Sequence, residues 1–208
     1  MKTAAGWLAV AAAAISATAA PADQATPLPD AKHRPEAIVF ADIPWLTPAD
    51  SVAVALAAHG YAETRWARTK DRLAASGKLF DRFATVQARL DDQGRLSRLE
   101  IMIPSKGEPD EYQVQRKIYD DAVTEMQSKY GRRRQATEWY RFPYERGDGR
   151  QARGIREGYV TFRSVWSSRG GDRLTVEIDS SMSVLLAYES RWWRKVEDER
   201  RRKKAKDL

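Results

Sequence analysis

RFATVQARLDDQGRLSRLEIMI, residues 82–103, is the stretch that decides the fold. In residues 82–90, Ala, Val and Leu alternate with Thr, Gln and Arg, so one face of a strand is apolar and the other is polar. Asp92-Gln93-Gly94 is typical of a tight turn, and the apolar alternation resumes after it at Leu99 and Ile101. The stretch therefore predicts an antiparallel meander with one face in water.

A helix is predicted before this meander, within IPWLTPADSVAVALAAHGY at residues 43–61. Thr47 is expected to cap its N-terminus, and Pro48 suits the first helical position. Gly60 is expected to end the helix, because glycine adopts the left-handed conformation found after many helices.

A second helix is predicted after the meander, from about Glu111 to Tyr130, with Asp110 and Gln113 as a capping box. Strand-like runs follow at residues 138–142, 159–166, 173–179 and 183–188. A helix followed by strands thus occurs twice. We therefore expect an α+β fold of pseudo-duplicated helix-plus-meander units, in two layers, with the helices on one face of an antiparallel sheet.

The beginning of the chain predicts export. Lys2 precedes an uncharged, alanine-rich run that is too short to cross a bilayer, and small residues follow up to Ala22. This pattern is typical of a signal peptide, residues 1–22, with cleavage after Ala22, or after Ala19 as the alternative. Residues 23–37 are rich in Pro and Ala and predict a flexible linker before an α+β domain at 38–190. The mature protein is expected to be periplasmic or secreted.

The sequence has no cysteine, so disulfides, thiol catalysis and a lipid-bearing cysteine are excluded.

The end of the chain, residues 191–208, predicts a long basic helix. It holds nine Lys or Arg against four Asp or Glu, while the whole chain has a net charge of +7. Its acids come first and its bases last, which suits the helix dipole. Trp192 and Trp193 are expected either to fix the helix to the body or to lie at an interface.

Two basic clusters are candidates for weak docking on an anionic membrane surface or an envelope polyanion. Their members are Arg132, Arg133, Arg134, Arg194, Arg200, Arg201, Arg202, Lys203 and Lys204. The alternative is a solvated helix without a partner. Nucleic acid is a less suitable partner, because an exported protein rarely meets it.

Four short stretches resemble known proteins: IPWLTPADSV (43–52), MQSKYG (126–131), PYERGDG (143–149) and VLLAYESRWW (184–193). They resemble a group of small exported bacterial α+β proteins of unassigned function. More distantly, the helix-plus-meander units resemble the small lipoproteins of the outer-membrane barrel-assembly machinery and the β-lactamase inhibitor protein. The resemblance implies an envelope binding or scaffolding module, although this chain lacks the lipoproteins' cysteine.

Catalytic residues are scarce. His33 lies in the predicted linker and His59 at the end of the first helix, so neither favours a triad or a zinc site. Glu145 and Asp148 form a carboxylate pair in a glycine-rich loop, which is either an acid–base pair or a tight turn. We assign no catalytic residue, no metal site and no cofactor.

The aromatic residues Trp139, Tyr140 and Tyr144 are candidates for lining a partner groove, since aromatic side chains are enriched at binding surfaces. Together, these patterns predict an exported envelope binding or structural module whose basic C-terminal helix docks weakly on anionic surfaces. The alternatives are an inhibitor-like or assembly subunit that binds a protein partner, or a carboxylate-based hydrolase.

Overall fold

The computed structural model describes residues 34–64, 68–107 and 110–206, with the backbone alone at 203, 204 and 206. Within these residues the chain forms eight strands and four helices. They are α1 (Ala49–Ala58), β1 (Ala62–Glu63), β2 (Arg72–Leu79), β3 (Arg82–Leu90), β4 (Leu96–Ile103), α2 (Glu111–Tyr130), β5 (Gln135–Tyr140), α3 (Gln151–Arg156), β6 (Val160–Ser167), β7 (Arg173–Ile178), β8 (Val184–Glu189) and α4 (Arg191–Lys206). The predicted signal peptide, residues 1–22, and most of the predicted linker lie outside the described residues.

All eight strands belong to one antiparallel sheet, in the order β1-β2-β3-β4-β8-β7-β6-β5. The meander predicted at residues 82–103 is confirmed, since Val86 pairs with Ile101 and Ala88 with Leu99. The α+β class and the C-terminal helix are confirmed as well. At the centre of the sheet, β4 pairs with β8.

The core lies against one face of this sheet. Leu99, Tyr188 and Leu174 form one buried row across β4, β8 and β7, because apolar side chains alternate with polar ones along each strand. Helix α2 packs on the same face, where the hydroxyl of Tyr188 donates a hydrogen bond to Met126 Sδ at 3.3 Å. The sheet thus buries one face and leaves the polar face to other contacts.

The predicted caps of the first two helices are wrong. Thr47 donates its hydroxyl to the carbonyl of Pro44, and Pro48 occupies the N-cap of α1 without a side-chain bond. The amide of Ala49 is instead satisfied by the carbonyl of Gly94, at 3.1 Å, in the β3–β4 turn. Asp110 likewise makes no side-chain cap of α2.

Helix α3 lies where the sequence predicted only a loop. Its Gly154 lies so close to the β6 strand that a Cβ there would be 2.5 Å from Val160 Cγ2 and 3.0 Å from Tyr144 Cδ1. Glycine at this position therefore allows the short helix to pack on the sheet.

A buried carboxylate joins the first described residues to the end of the chain. Asp172, which is buried in the β6–β7 turn, accepts hydrogen bonds from the amide of Ile38 at 3.3 Å and the amide of Arg191 at 3.2 Å. The carbonyl of Pro35 also accepts a bond from Arg169 N. The chain is therefore held from Pro35 onwards, two residues before the predicted end of the linker.

Candidate binding surface

The first turn of α4 is fixed to the body. The amide of Trp193 donates to Ser190 Oγ at 3.1 Å, so Ser190 caps the helix. Arg194 Nη1 donates to the carbonyl of Gly171 at 2.9 Å. The guanidinium of Arg98 lies 5.4 Å from the ring centre of Trp193, within the range of a cation–π contact. Since Arg98 lies on the polar face of the sheet, α4 starts on the side opposite α2.

Helix α4 also presents both apolar and basic groups to solvent. Trp192 is 39% exposed and Val196, one turn later, is 43% exposed. Lys195 and Arg200–Arg202 are exposed as well. A helix with this composition suits the boundary of an anionic bilayer, where apolar groups enter and bases remain with the head groups.

Intrahelical ion pairs leave most of these bases available. In the described part of α4, Glu197 pairs with Arg200 at 2.9 Å, and neither Arg201 nor Arg202 has an ion-pair partner. The side chains of Lys203 and Lys204 lie outside the described residues.

The second predicted basic cluster divides into a half-buried member and two exposed members. Arg133 turns inward, where its Nη1 donates to Ser164 Oγ at 3.0 Å. Arg132 and Arg134 are exposed. Arg133 therefore has a structural partner in the core, and two residues of this cluster remain accessible.

The three predicted groove aromatics do not lie together. Trp139 and Tyr140 are consecutive in β5 and point to opposite faces, with Trp139 42% exposed. Tyr140 packs edge-on against Phe162, whereas Tyr144 is buried and donates its hydroxyl to Glu157. The bond with Glu157 raises the pKa of Tyr144.

A row of arginines crosses the polar face of the sheet. Arg72 of β2 pairs with Arg89 of β3, which pairs with Arg98 of β4. On the far side of Glu189 in β8, the row continues with Arg173 of β7. Like charges directly opposite each other destabilise a sheet. The paired arginines of this row therefore cost free energy of folding.

The carboxylates near the row neutralise it only in part. Arg98 Nη2 lies 2.8 Å from Glu100, and its Nε lies 3.6 Å from Glu189. The Nε atoms of Arg72 and Arg173 are buried and lack a hydrogen-bond partner in the described part of the chain. Burial and the neighbouring Arg194 lower the pKa of Arg173. The arginine row is therefore electropositive and incompletely satisfied.

Strand alternation in residues 82–90 placed Arg89 on the polar face, but it did not show that Arg89 shares a row with other arginines. Arg89 and Arg98 flank the predicted turn. Counting residues outward from that turn is the sequence signal that could have paired these two arginines. Arg173 joins the row because β4 pairs with β8 and β8 pairs with β7. The sequence pattern does not reveal such long-range pairing.

The carboxylate pair in the glycine-rich loop forms a turn. Asp148 accepts hydrogen bonds from the amides of Glu145 at 3.0 Å and Arg150 at 2.8 Å. These bonds lower the pKa of Asp148, which is opposite to what a general acid at neutral pH requires. His59 is exposed at the C-cap of α1. Among the described residues, no group of three or more metal-binding side chains is close enough to hold an ion.

Among the helices of the described residues, none combines the length and hydropathy that a membrane span requires. No protein-family model, curated protein or solved structure matches this chain.

Proposed function

We propose that this chain is an exported, non-enzymatic binding module of the bacterial envelope that docks weakly on anionic surfaces through α4. The observation that carries the proposal is that α4 is fixed to the body at its start and still presents apolar and basic side chains to solvent. Ser190, Asp172 and Arg98 hold the start of the helix, and Trp192, Val196 and the bases beyond them face solvent. The anchored start fixes the direction in which these groups are presented.

The expected binding is weak and sensitive to salt. Each base near an anionic bilayer contributes at most about 1 kcal/mol, and salt screens this contribution. The acids Glu197–Glu199 oppose the attraction, so reversible docking is expected rather than permanent anchoring.

Vesicle co-sedimentation tests this function with matched charge reversals. Arg201→Glu with Arg202→Glu should lower binding to phosphatidylglycerol vesicles about tenfold at low salt, because two exposed bases are replaced by acids. Lys70→Glu with Lys78→Glu changes the net charge equally at exposed positions remote from α4, and should retain most of the binding. Equal losses in both variants, or binding to neutral vesicles, would contradict docking through α4.

Export is the second part of the proposal and is supported by the sequence pattern of residues 1–22. The mass of the protein recovered from the periplasm or medium of the host should correspond to a chain that begins at Asp23. An intact N-terminus on protein retained in the cytoplasm would contradict it.

The symmetry of the sheet supports the proposed architecture. The strand order runs β1 to β4 and then β8 to β5, so each half places its last strand at the centre. This is the arrangement expected of two duplicated helix-plus-meander units that form two layers, with α1 and α2 on one face. Such units leave the other face to α4 and to a binding partner.

The arginine row favours a second candidate, a module that binds an acidic protein partner on the polar face of the sheet. Charge complementarity would fix the orientation of such a partner. Arg89→Glu should then release the partner in a cross-linking experiment on envelope extracts, whereas Arg201→Glu with Arg202→Glu should retain it. The opposite result would favour the helix as the contact.

A further inference from the structure

A cavity of about 530 Å³ lies at one end of the sheet, between the β2–β3 turn, the end of β4 and the first turns of α2. This volume is within the range of about 300–1,000 Å³ that is usual for small-molecule sites. The cavity shares no residue with α4 or the arginine row. It is therefore separate from the candidate binding surface.

Two buried polar side chains of α2 line the cavity and offer hydrogen-bond acceptors. Gln115 is only 3% exposed, and its Oε1 has no hydrogen-bond partner among the described residues. Glu111, one turn earlier on the same face of α2, is 8% exposed. Its carboxylate accepts a hydrogen bond from Ser105 and pairs with Arg156. Because a buried acceptor without a donor costs free energy, Gln115 is suited to a ligand that supplies an N–H group.

The other lining residues of the cavity define two further features of a suitable ligand. Phe80, Phe83, Ile103 and Val114 contribute apolar surface, and Phe83 is 55% exposed although it is a large aromatic side chain. Two bases, Arg82 and Lys106, are exposed at the mouth together with one acid, Asp81. The cavity thus combines buried acceptors, apolar side chains and exposed charged groups with a net positive charge.

We propose that this cavity binds a short apolar peptide, with its N–H donors at Gln115 and its terminal carboxylate at Arg82 and Lys106. A peptide of two or three residues presents these three features: amide or ammonium donors, apolar side chains and an anionic end. The bound peptide satisfies the buried oxygen of Gln115 and covers the exposed ring of Phe83.

The dipeptide Leu-Leu and its C-terminal amide are suitable probes. In an NMR titration of the full chain, Leu-Leu should bind with a Kd of about 1 mM or below, as expected for a ligand of this size. The amide signals of Ser105 and Gln115 should shift. The C-terminal amide should bind roughly fivefold more weakly, because it lacks the anion that faces the two bases. In the double variant Arg82→Gln with Lys106→Gln, Leu-Leu and its C-terminal amide should bind with the same affinity.

Gln115→Met separates binding from a structural role. It keeps the size of the side chain and removes the acceptor, so Leu-Leu should bind roughly fivefold more weakly, the effect of one hydrogen bond. The Tm of the free protein should not fall, because an unpaired polar atom has been removed; a structural role predicts a lower Tm. Gln113→Met, at an exposed position of the same helix, is the matched control and should leave the Kd unchanged. The proposal would be overturned if Leu-Leu failed to shift the amide signals of Ser105 and Gln115. It would also be overturned if Gln115→Met and Gln113→Met weakened the binding of Leu-Leu equally.

Discussion

Ser164 places a hydroxyl group on the buried face of β6, the strand next to one edge of the sheet. It is fully buried, and its Oγ shares a hydrogen bond of 2.7 Å with the hydroxyl of Tyr119 while it accepts another from Arg133. We expect Ser164→Ala to lower the free energy of unfolding by about 1–3 kcal/mol, because Tyr119 then keeps a buried hydroxyl without this partner. Urea denaturation measures the change.

A double-mutant cycle tests this explanation. Tyr119→Phe removes the other hydroxyl, so Ser164→Ala should cost less in that background than in the natural chain. Ser76→Ala, at a half-buried position of the polar face, is the control and should change stability by less than about 0.5 kcal/mol. Strictly additive effects would show that the two hydroxyl groups act independently.

Buried tyrosines predict a loss of stability in alkali. Burial raises the pKa of Tyr130 to about 12, and it also raises the pKa of Tyr119 and Tyr188. The phenol form is favoured in the fold, so the stabilising contribution of Tyr130 is present below the unfolded pKa of about 10 and is lost as the pH rises toward 12. The urea midpoint should therefore fall between about pH 10 and pH 12.

Tyr130→Phe tests the assignment, because phenylalanine does not ionise. The variant loses the hydrogen bond to the carbonyl of Val39, so it should be less stable at neutral pH. Its urea midpoint should nevertheless decline less steeply above about pH 10 than that of the natural chain. An identical slope would assign the alkaline transition to other groups.

At the scale of elements, periodicity was sufficient for the β3–β4 hairpin and insufficient for the helix starts. Alternation in residues 82–103 predicted the β3–β4 hairpin, because each strand has one buried face. The caps failed because the start of α1 is satisfied by Gly94, a partner from another element. Glu111 was likewise expected only as a helix-start residue, but it pairs with Arg156 of α3. Local sequence does not identify such distant partners.

The same limit applies to the candidate sites. The basic composition of α4 was visible in the sequence, and so was its helical charge order. The cavity beside Gln115 was not, because its walls come from three separate elements. A site on one element is predictable from a sequence pattern, whereas a site between elements requires the sheet order.

One carboxylate contributes to the attachment of α4 and also holds the first described residues. Asp172 accepts the amides of Ile38 and Arg191, so Asp172→Ala leaves both donors without this partner. We expect the first described residues and α4 to loosen together, and trypsin to cleave α4 several times faster than in the natural chain. Mass spectrometry of the early fragments identifies the cleavage sites.

Asp179→Ala is the matched control for this experiment. Asp179 accepts the amides of Ser181 and Ser183, both at 2.9 Å, in the β7–β8 turn. It therefore has a similar role in a turn, but these bonds do not involve α4. Cleavage of α4 should stay slow in this variant, and equal acceleration in both would show a general loss of stability.

At the scale of the whole molecule, the central β4–β8 pair joins the two halves into one core. Val86, Ile101, Leu186 and Val176 form a single row across β3, β4, β8 and β7. All four side chains are fully buried. Two halves of a sheet that share such a row cannot separate without exposing each other's apolar surface, so we expect cooperative unfolding.

Native-state hydrogen exchange tests this cooperativity with one core deletion in each half. Val86→Ala and Val176→Ala each remove two buried methyl groups and should lower the free energy of unfolding by about 1–3 kcal/mol. The slowest amides of β4 and β8 exchange only through global unfolding if the core is one unit. Each variant should therefore lower the protection of both strands by the same amount, while Thr85→Ala on the polar face should change it little. If Val86→Ala affected β3 and β4 alone, and Val176→Ala affected β7 and β8 alone, the halves would unfold independently and the shared row would contribute little to cooperativity.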